Sequence, residues 1–122
     1  MIQDTAIAVV QKQLDAYNAK DLEALLQTYA PDAEQYTLHG ALLAKGHDTL
    51  RTRFSARLAE PDIHARLLSR TVMENIVTDF ELVTRNFPEG RGTVEMLCVY
   101  EVVGGLIQRA SFAVGQPRIE AN

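Results

Sequence analysis

The chain has 122 residues, 47% of them apolar and 23% charged, with a formal net charge of −4 and a single cysteine, Cys98. That balance fits one globular domain spanning 1–122, large enough to bury about two-thirds of its unfolded surface without a staple. A lone cysteine excludes an intrachain disulfide, and a net negative chain argues against nucleic acid, whose phosphates need concentrated positive charge.

No apolar run approaches the about 20 residues that span a membrane. Asp4 falls early and no basic run precedes an apolar one, which is unlike a secretory signal. A reducing, cytoplasmic setting is therefore expected, with no membrane partner.

Ile7, Val10, Leu14 and Tyr17 are spaced 3, 4 and 3 apart, the apolar face of a first helix. Asp21 reads as the N-cap of a second, with Leu22, Leu25, Leu26 and Tyr29 as its stripe and Pro31 as its end. Residues 33–38 read as a short strand and 40–46 as a connection. Leu50, Phe54 and Leu58 mark a third helix, broken at Pro61-Asp62, with Arg51, Arg53 and Arg57 as a local basic patch, either a solvated face or a means of steering an anionic ligand.

The remainder reads as β-structure. Residues 64–73 and 76–85 form a hairpin about Glu74-Asn75, because Asn tolerates a positive φ. Residues 86–92 read as a loop. Residues 94–103 and 106–114 form a second hairpin about Gly104-Gly105, and the tail from Gln116 reads as loose.

Register follows from the turns. Arg70 should lie opposite Asp79, Thr71 opposite Thr78 and Leu68 opposite Glu81. Val99 should face Ala110, Leu97 should face Phe112, and Tyr100 should face Arg109. That puts Leu97, Val99 and Phe112 on one face and Met96, Cys98 and Tyr100 on the other. A sheet apolar on both faces must be covered on both. Helices cover one, so a homodimer through the other face is expected.

Four segments carry a resemblance: 17–24 (Tyr17 to Ala24), 29–33 with Pro31-Asp32, Lys45-Gly46, and Gly105-Leu106-Ile107 followed by Arg109. In these and in the order of its elements the chain resembles the nuclear transport factor two-like superfamily, in its SnoaL-like and ketosteroid isomerase-like branches. The resemblance implies an α+β cone, three N-terminal helices packed on a curved antiparallel sheet around an apolar cavity. It also implies which positions line that cavity: Gln13, Tyr17, Thr37, Phe54, Val99, Ala110 and Phe112, with Tyr17 and Tyr36 as polar handles.

Ketosteroid isomerases use an Asp base, a Tyr and a protonated Asp. The resemblance puts Thr37, Gln13 and Val99 at those places, and none can do the job. A small hydrophobic ligand held without turnover is therefore one reading. An isomerase, cyclase or dehydratase acting on a hydrophobic carbonyl compound is another, and a dimerising module with a filled core is a third.

Candidate catalytic groups come from the strands. Asp79 could be an acid/base group and Arg70 an anion clamp for a carboxylate or enolate, or the two could form a solvent-facing or structural ion pair. Glu81 shares a face with Asp79, and two carboxylates on one face could work as an acid/base couple; SnoaL-like relatives often carry a His between two such acids, where this chain has Phe80. His64 could act as a base or sit bonded at a strand end. His39, His47 and His64 share no ligand spacing, so no metal and no cofactor are expected. Cys98 reads as a small core residue.

Overall fold

The computed structural model describes residues 2–121. Three helices, α1 (Ile2–Asn18), α2 (Leu22–Gln27) and α3 (Gly46–Leu58), accompany seven strands. These are β1 (Tyr29–Thr37), β2 (Leu42–Lys45), β3 (His64–Met73), β4 (Ile76–Phe87), β5 (Gly90–Val103), β6 (Leu106–Val114) and β7 (Arg118–Ile119). The sheet runs β2-β1-β6-β5-β4-β3, with β7 paired to β5. The α+β class is as expected, with one difference in the sheet. β1 runs parallel to β6, and every other pairing is antiparallel.

Local chemistry sets the elements. The Asp21 carboxylate accepts from the Ala24 amide at the start of α2, a cap worth about 1 kcal/mol. α2 then stops at Gln27, and Tyr29 and Pro31 fall inside β1 rather than in the helix. Pro31 is tolerated there as an exposed strand residue that need not donate to the ladder. The 40–46 connection contains β2, the 86–92 loop shrinks to a turn at Pro88-Glu89, and the tail pairs briefly as β7.

The helices lie on one face of the sheet. α1 packs against β3, β4, β5 and β6, and α3 packs against β1 and β2. Leu25, Leu50, Val10, Val77 and Ile107 are fully buried at one end of this sandwich. Each such side chain contributes roughly 1.5–3 kcal/mol by leaving water. A second cluster of Leu14, Ile63, Ala65, Val83 and Val94 closes the other end. Asn18 ties α1 to the edge strand. Its amide donates to the Ala65 carbonyl at 2.8 Å and its oxygen accepts from the Ala65 amide at 2.8 Å.

Two register slips matter for function. In β3 the ladder shifts between Leu67 and Ser69, so Leu67 rather than Leu68 opposes Glu81, while Arg70 opposes Asp79 and Thr71 opposes Thr78. Between β5 and β6 the ladder shifts between Glu101 and Val102. Tyr100 then opposes Ala110, Cys98 opposes Phe112, and Glu101 opposes Arg109. Asn75 sits beside this slip: it accepts from the Val102 amide at 2.9 Å and donates to the Val102 carbonyl at 3.1 Å. The positive φ of the first hairpin falls on Glu74, at 53°, and not on Asn75. A one-residue slip exchanges the faces of a strand relative to its partner. Phe112 therefore joins Cys98 and Tyr100 on the inner face, and Val99 faces outward.

Among the described residues no helix is long and apolar enough to cross a membrane.

A cavity with a buried carboxyl on its wall

Between α1, α3 and the sheet lies a cavity of about 390 Å³. That is within the roughly 300–1,000 Å³ typical of small-molecule pockets. Both buried clusters contribute to its wall, through Leu14, Val83 and Val94 at one end and Tyr29, Phe54 and Tyr100 at the other.

Five residues expected at the cavity line it: Gln13, Tyr17, Thr37, Phe54 and Phe112. Gln13 and Tyr17 are one helical turn apart on α1 and project the same way. Phe54 is 7% exposed and rests on the Tyr29 ring, centroids 5.5 Å apart.

Six other expected residues stand elsewhere. Val99 faces outward because of the β5–β6 slip. Ala110 is on the inner face but packs into the core with no exposure. Tyr36 alternates with the cavity-lining Gln35 and Thr37, so it points to the opposite face of β1, where the Arg109 guanidinium lies 5.6 Å from its ring. His64 is exposed at the start of β3 and is not on the cavity wall. Arg70 and Asp79 form a closed pair behind that wall. Arg70 Nε reaches Asp79 Oδ1 at 2.6 Å and Nη2 reaches Oδ2 at 2.9 Å, while Nη1 donates to Gln11 Oε1 at 2.9 Å. Asp79 has no exposure, and neither group lines the cavity.

The chemical group at the wall is Glu81, two residues along β4 on the same face as Asp79. It is 5% exposed and has no cation of its own among the described residues. Burial, then the charge of Asp79, pushes its carboxyl up to about 7. Its protein hydrogen bond is weak, a thiol contact from Cys98 Sγ to Oε1 at 3.7 Å. The same burial, with Glu81 nearby, raises the Cys98 thiol and the Tyr100 hydroxyl well above their ordinary ranges. Those two groups stay neutral, leaving Glu81 to titrate near neutrality.

Two polar groups face the same space. Burial pushes Tyr17 up to about 12, against the opposing influence of Arg57 nearby. Tyr17 therefore keeps its proton and can offer it to a group in the cavity. Gln13 Oε1 is buried with no hydrogen-bond partner among the described residues. An orphaned buried acceptor costs about 1–3 kcal/mol.

Toward solvent the wall becomes basic. Arg85 holds Glu60 through Nη2–Oε2 at 2.7 Å and Nε–Oε1 at 3.2 Å. Arg57 approaches the same carboxylate at 3.3 Å, and the Asn86 amide donates to it at 2.9 Å. Burial alone would raise Glu60, but these partners outweigh it and lower its pKa. Arg53 and Arg57, four apart on α3, line the cavity, whereas Arg51 pairs with Glu23 on α2. The i, i+4 spacing of Arg53 and Arg57 was the sequence signal for a basic wall, hidden by reading all three arginines as one patch. Among the described residues no three His, Cys, Asp or Glu side chains cluster as metal ligands.

A family model described as a SnoaL-like domain matches residues 10–110. No curated protein matches the chain in sequence. Among solved structures, an uncharacterized cystatin-fold protein from Novosphingobium aromaticivorans superposes with a TM-score of 0.82 at 23% identity, covering 88% of this chain and 97% of that one. A protein proposed to be a SnoaL-like polyketide cyclase, from Jannaschia, gives a TM-score of 0.79 at 12% identity, over 93% of this chain and 87% of its own. A protein proposed to be a ketosteroid isomerase, from Kribbella flavida, gives 0.78 at 15% identity, over 98% and 84%. At these identities the likeness is one of fold.

Proposed function

The chain belongs to the SnoaL-like domain family, and from that premise we propose that its cavity binds a small, largely apolar carbonyl compound and that Glu81 moves a proton on it. The observation that carries this reading is a carboxyl on the cavity wall, without a cation and held near 7. A general base works best when its pKa lies near the working pH.

The step is simple in atoms and electrons. The ionised Glu81 carboxylate takes a proton from the carbon beside the carbonyl. The C–H electron pair moves into the enolate, whose oxygen receives the Tyr17 proton as a hydrogen bond. The proton on Glu81 then returns to the same or a conjugated carbon. Reaction classes built on that step include isomerisation, dehydration and ring closure. The ligand-only reading has its own support in Gln13 and Thr37, which line the cavity but cannot serve as bases.

The test uses 2-tetralone in deuterated water, with exchange at the carbon beside its carbonyl followed by proton NMR. Wild-type protein should accelerate exchange, with a rate that rises with pH and reaches half its maximum near 7. Glu81→Gln should bind the ketone and lose the acceleration. Binding with no acceleration by the wild type would leave a ligand-binding protein without turnover.

The outer sheet face supports a second copy of the chain as partner. Leu68, Leu97 and Val103 are exposed there, at 40%, 39% and 50%. Native mass spectrometry should show a dimer, and Leu97→Glu should convert it to monomer.

A further inference from the structure

The charge of the cavity differs from that of the chain. Overall the protein carries a formal −4. The cavity wall instead carries three arginines, Arg53, Arg57 and Arg85, against one saturated carboxylate, Glu60, and one carboxyl that is half-neutral near 7, Glu81. Arg57 and Arg85 are taken up by Glu60. Arg53 has no carboxylate partner among the described residues.

Arg53 is nevertheless held in place. Its Nε donates to Gln35 Oε1 at 3.1 Å, and Gln35, only 2% exposed, donates in turn to the Tyr29 hydroxyl at 3.4 Å. A buried glutamine thus anchors the inner edge of the guanidinium. Its two terminal nitrogens have no hydrogen-bond partner among the described residues, and they form the planar fork that suits a carboxylate. Burial, then the charge of Arg57, lowers the Arg53 pKa, the mark of a cation lacking its counter-charge. Arg53 lines the cavity and also reaches solvent, whereas Glu81 is sequestered.

We infer that Arg53 is an anion subsite at the cavity mouth and that the ligand is an organic acid, with an apolar body and a carboxylate that forks onto the two terminal nitrogens of Arg53. The inference rests on the cavity being the ligand site and is independent of proton transfer by Glu81. It orients the ligand: the carboxylate stays at the mouth, the apolar body lies along Phe54 and Met96, and the far end faces Glu81 and Gln13.

The experiment uses two probes of the same shape, 2-naphthoate and the neutral 2-naphthamide, titrated calorimetrically below the Glu81 midpoint of about 7. There naphthoate is ionised and Glu81 protonated, so repulsion between them is removed. The wild type should prefer naphthoate on the order of tenfold, the difference between a charge-assisted and a neutral contact. Arg53→Gln should erase that preference, weakening naphthoate far more than naphthamide. Arg53→Lys should restore part of it, and Glu81→Gln should leave it intact. Equal binding of both probes by the wild type, or a preference that survives Arg53→Gln, overturns the anion subsite and leaves the cavity reading standing. Failure of both probes to bind overturns the subsite and the cavity reading together.

Discussion

At Asp79, β4 carries a buried carboxylate that is gripped at both oxygens by Arg70 and braced through Gln11. At Glu81, two residues along the same face, it carries a buried carboxyl with only a weak thiol contact and a cavity in front of it. Both are 5% exposed or less. What separates them is the partner. A buried charge with a well-placed counter-ion becomes part of the scaffold. One without a counter-ion holds its proton to higher pH and becomes available for chemistry.

The largest effect should come from breaking the scaffold pair. Arg70→Met leaves Asp79 buried without its cation, and urea denaturation should show a loss of about 3–5 kcal/mol. A loss below about 1 kcal/mol, as for an exposed pair, would erase the distinction between the two carboxyls.

Glu81→Gln should act in the opposite sense. The folded protein holds the Glu81 proton up to about 7, and the unfolded chain releases it near 4.5. Stability from the neutral carboxyl is therefore complete below 4.5 and is lost as pH rises through about 7. At about 1.4 kcal/mol per unit this amounts to about 3 kcal/mol across the window. The glutamine variant should lack that slope and be the more stable protein at alkaline pH, as read from denaturation midpoints across the pH range.

Gln13→Leu should change stability less. It removes an orphaned acceptor from a buried site, so the folded state should gain up to about 1 kcal/mol. Affinity for a ligand that donates to that oxygen should fall at the same time. A variant that gains stability and keeps full affinity would show that Gln13 takes no part in binding. The smallest effect belongs to Cys98→Ala. The thiol contact lowers the Glu81 pKa, so its removal should move the Glu81 midpoint upward with little change in fold.

How much of this could be read from the sequence follows from the range of each interaction. The Asp21 cap, the Gly104-Gly105 turn and the facing of Arg70 and Asp79 depend on residues close in the chain, and the sequence reading anticipated all three. The face of Val99 depends on a slip beside which Asn75, from another hairpin, pairs with the Val102 backbone. No local pattern reports that. Glu81 was visible only as a companion to Asp79. Its role emerges once Arg70 is seen to pair with one acid and not the other. The basic mouth was legible only as a patch of three arginines that could steer an anion, for a similar reason. Arg51, Arg53 and Arg57 are alike in sequence, and only the packing of α3 against β1 separates Arg51, paired with Glu23, from Arg53, anchored by buried Gln35.

The most direct measurement is the titration of the Glu81 side-chain carboxyl, followed through its carbon resonance in selectively labelled protein and assigned by loss of the signal in Glu81→Gln. The account predicts a midpoint near 7. A midpoint at the ordinary 4.5 would mean that Glu81 is solvated or paired in solution, and would contradict its assignment as the proton-transfer group of the cavity.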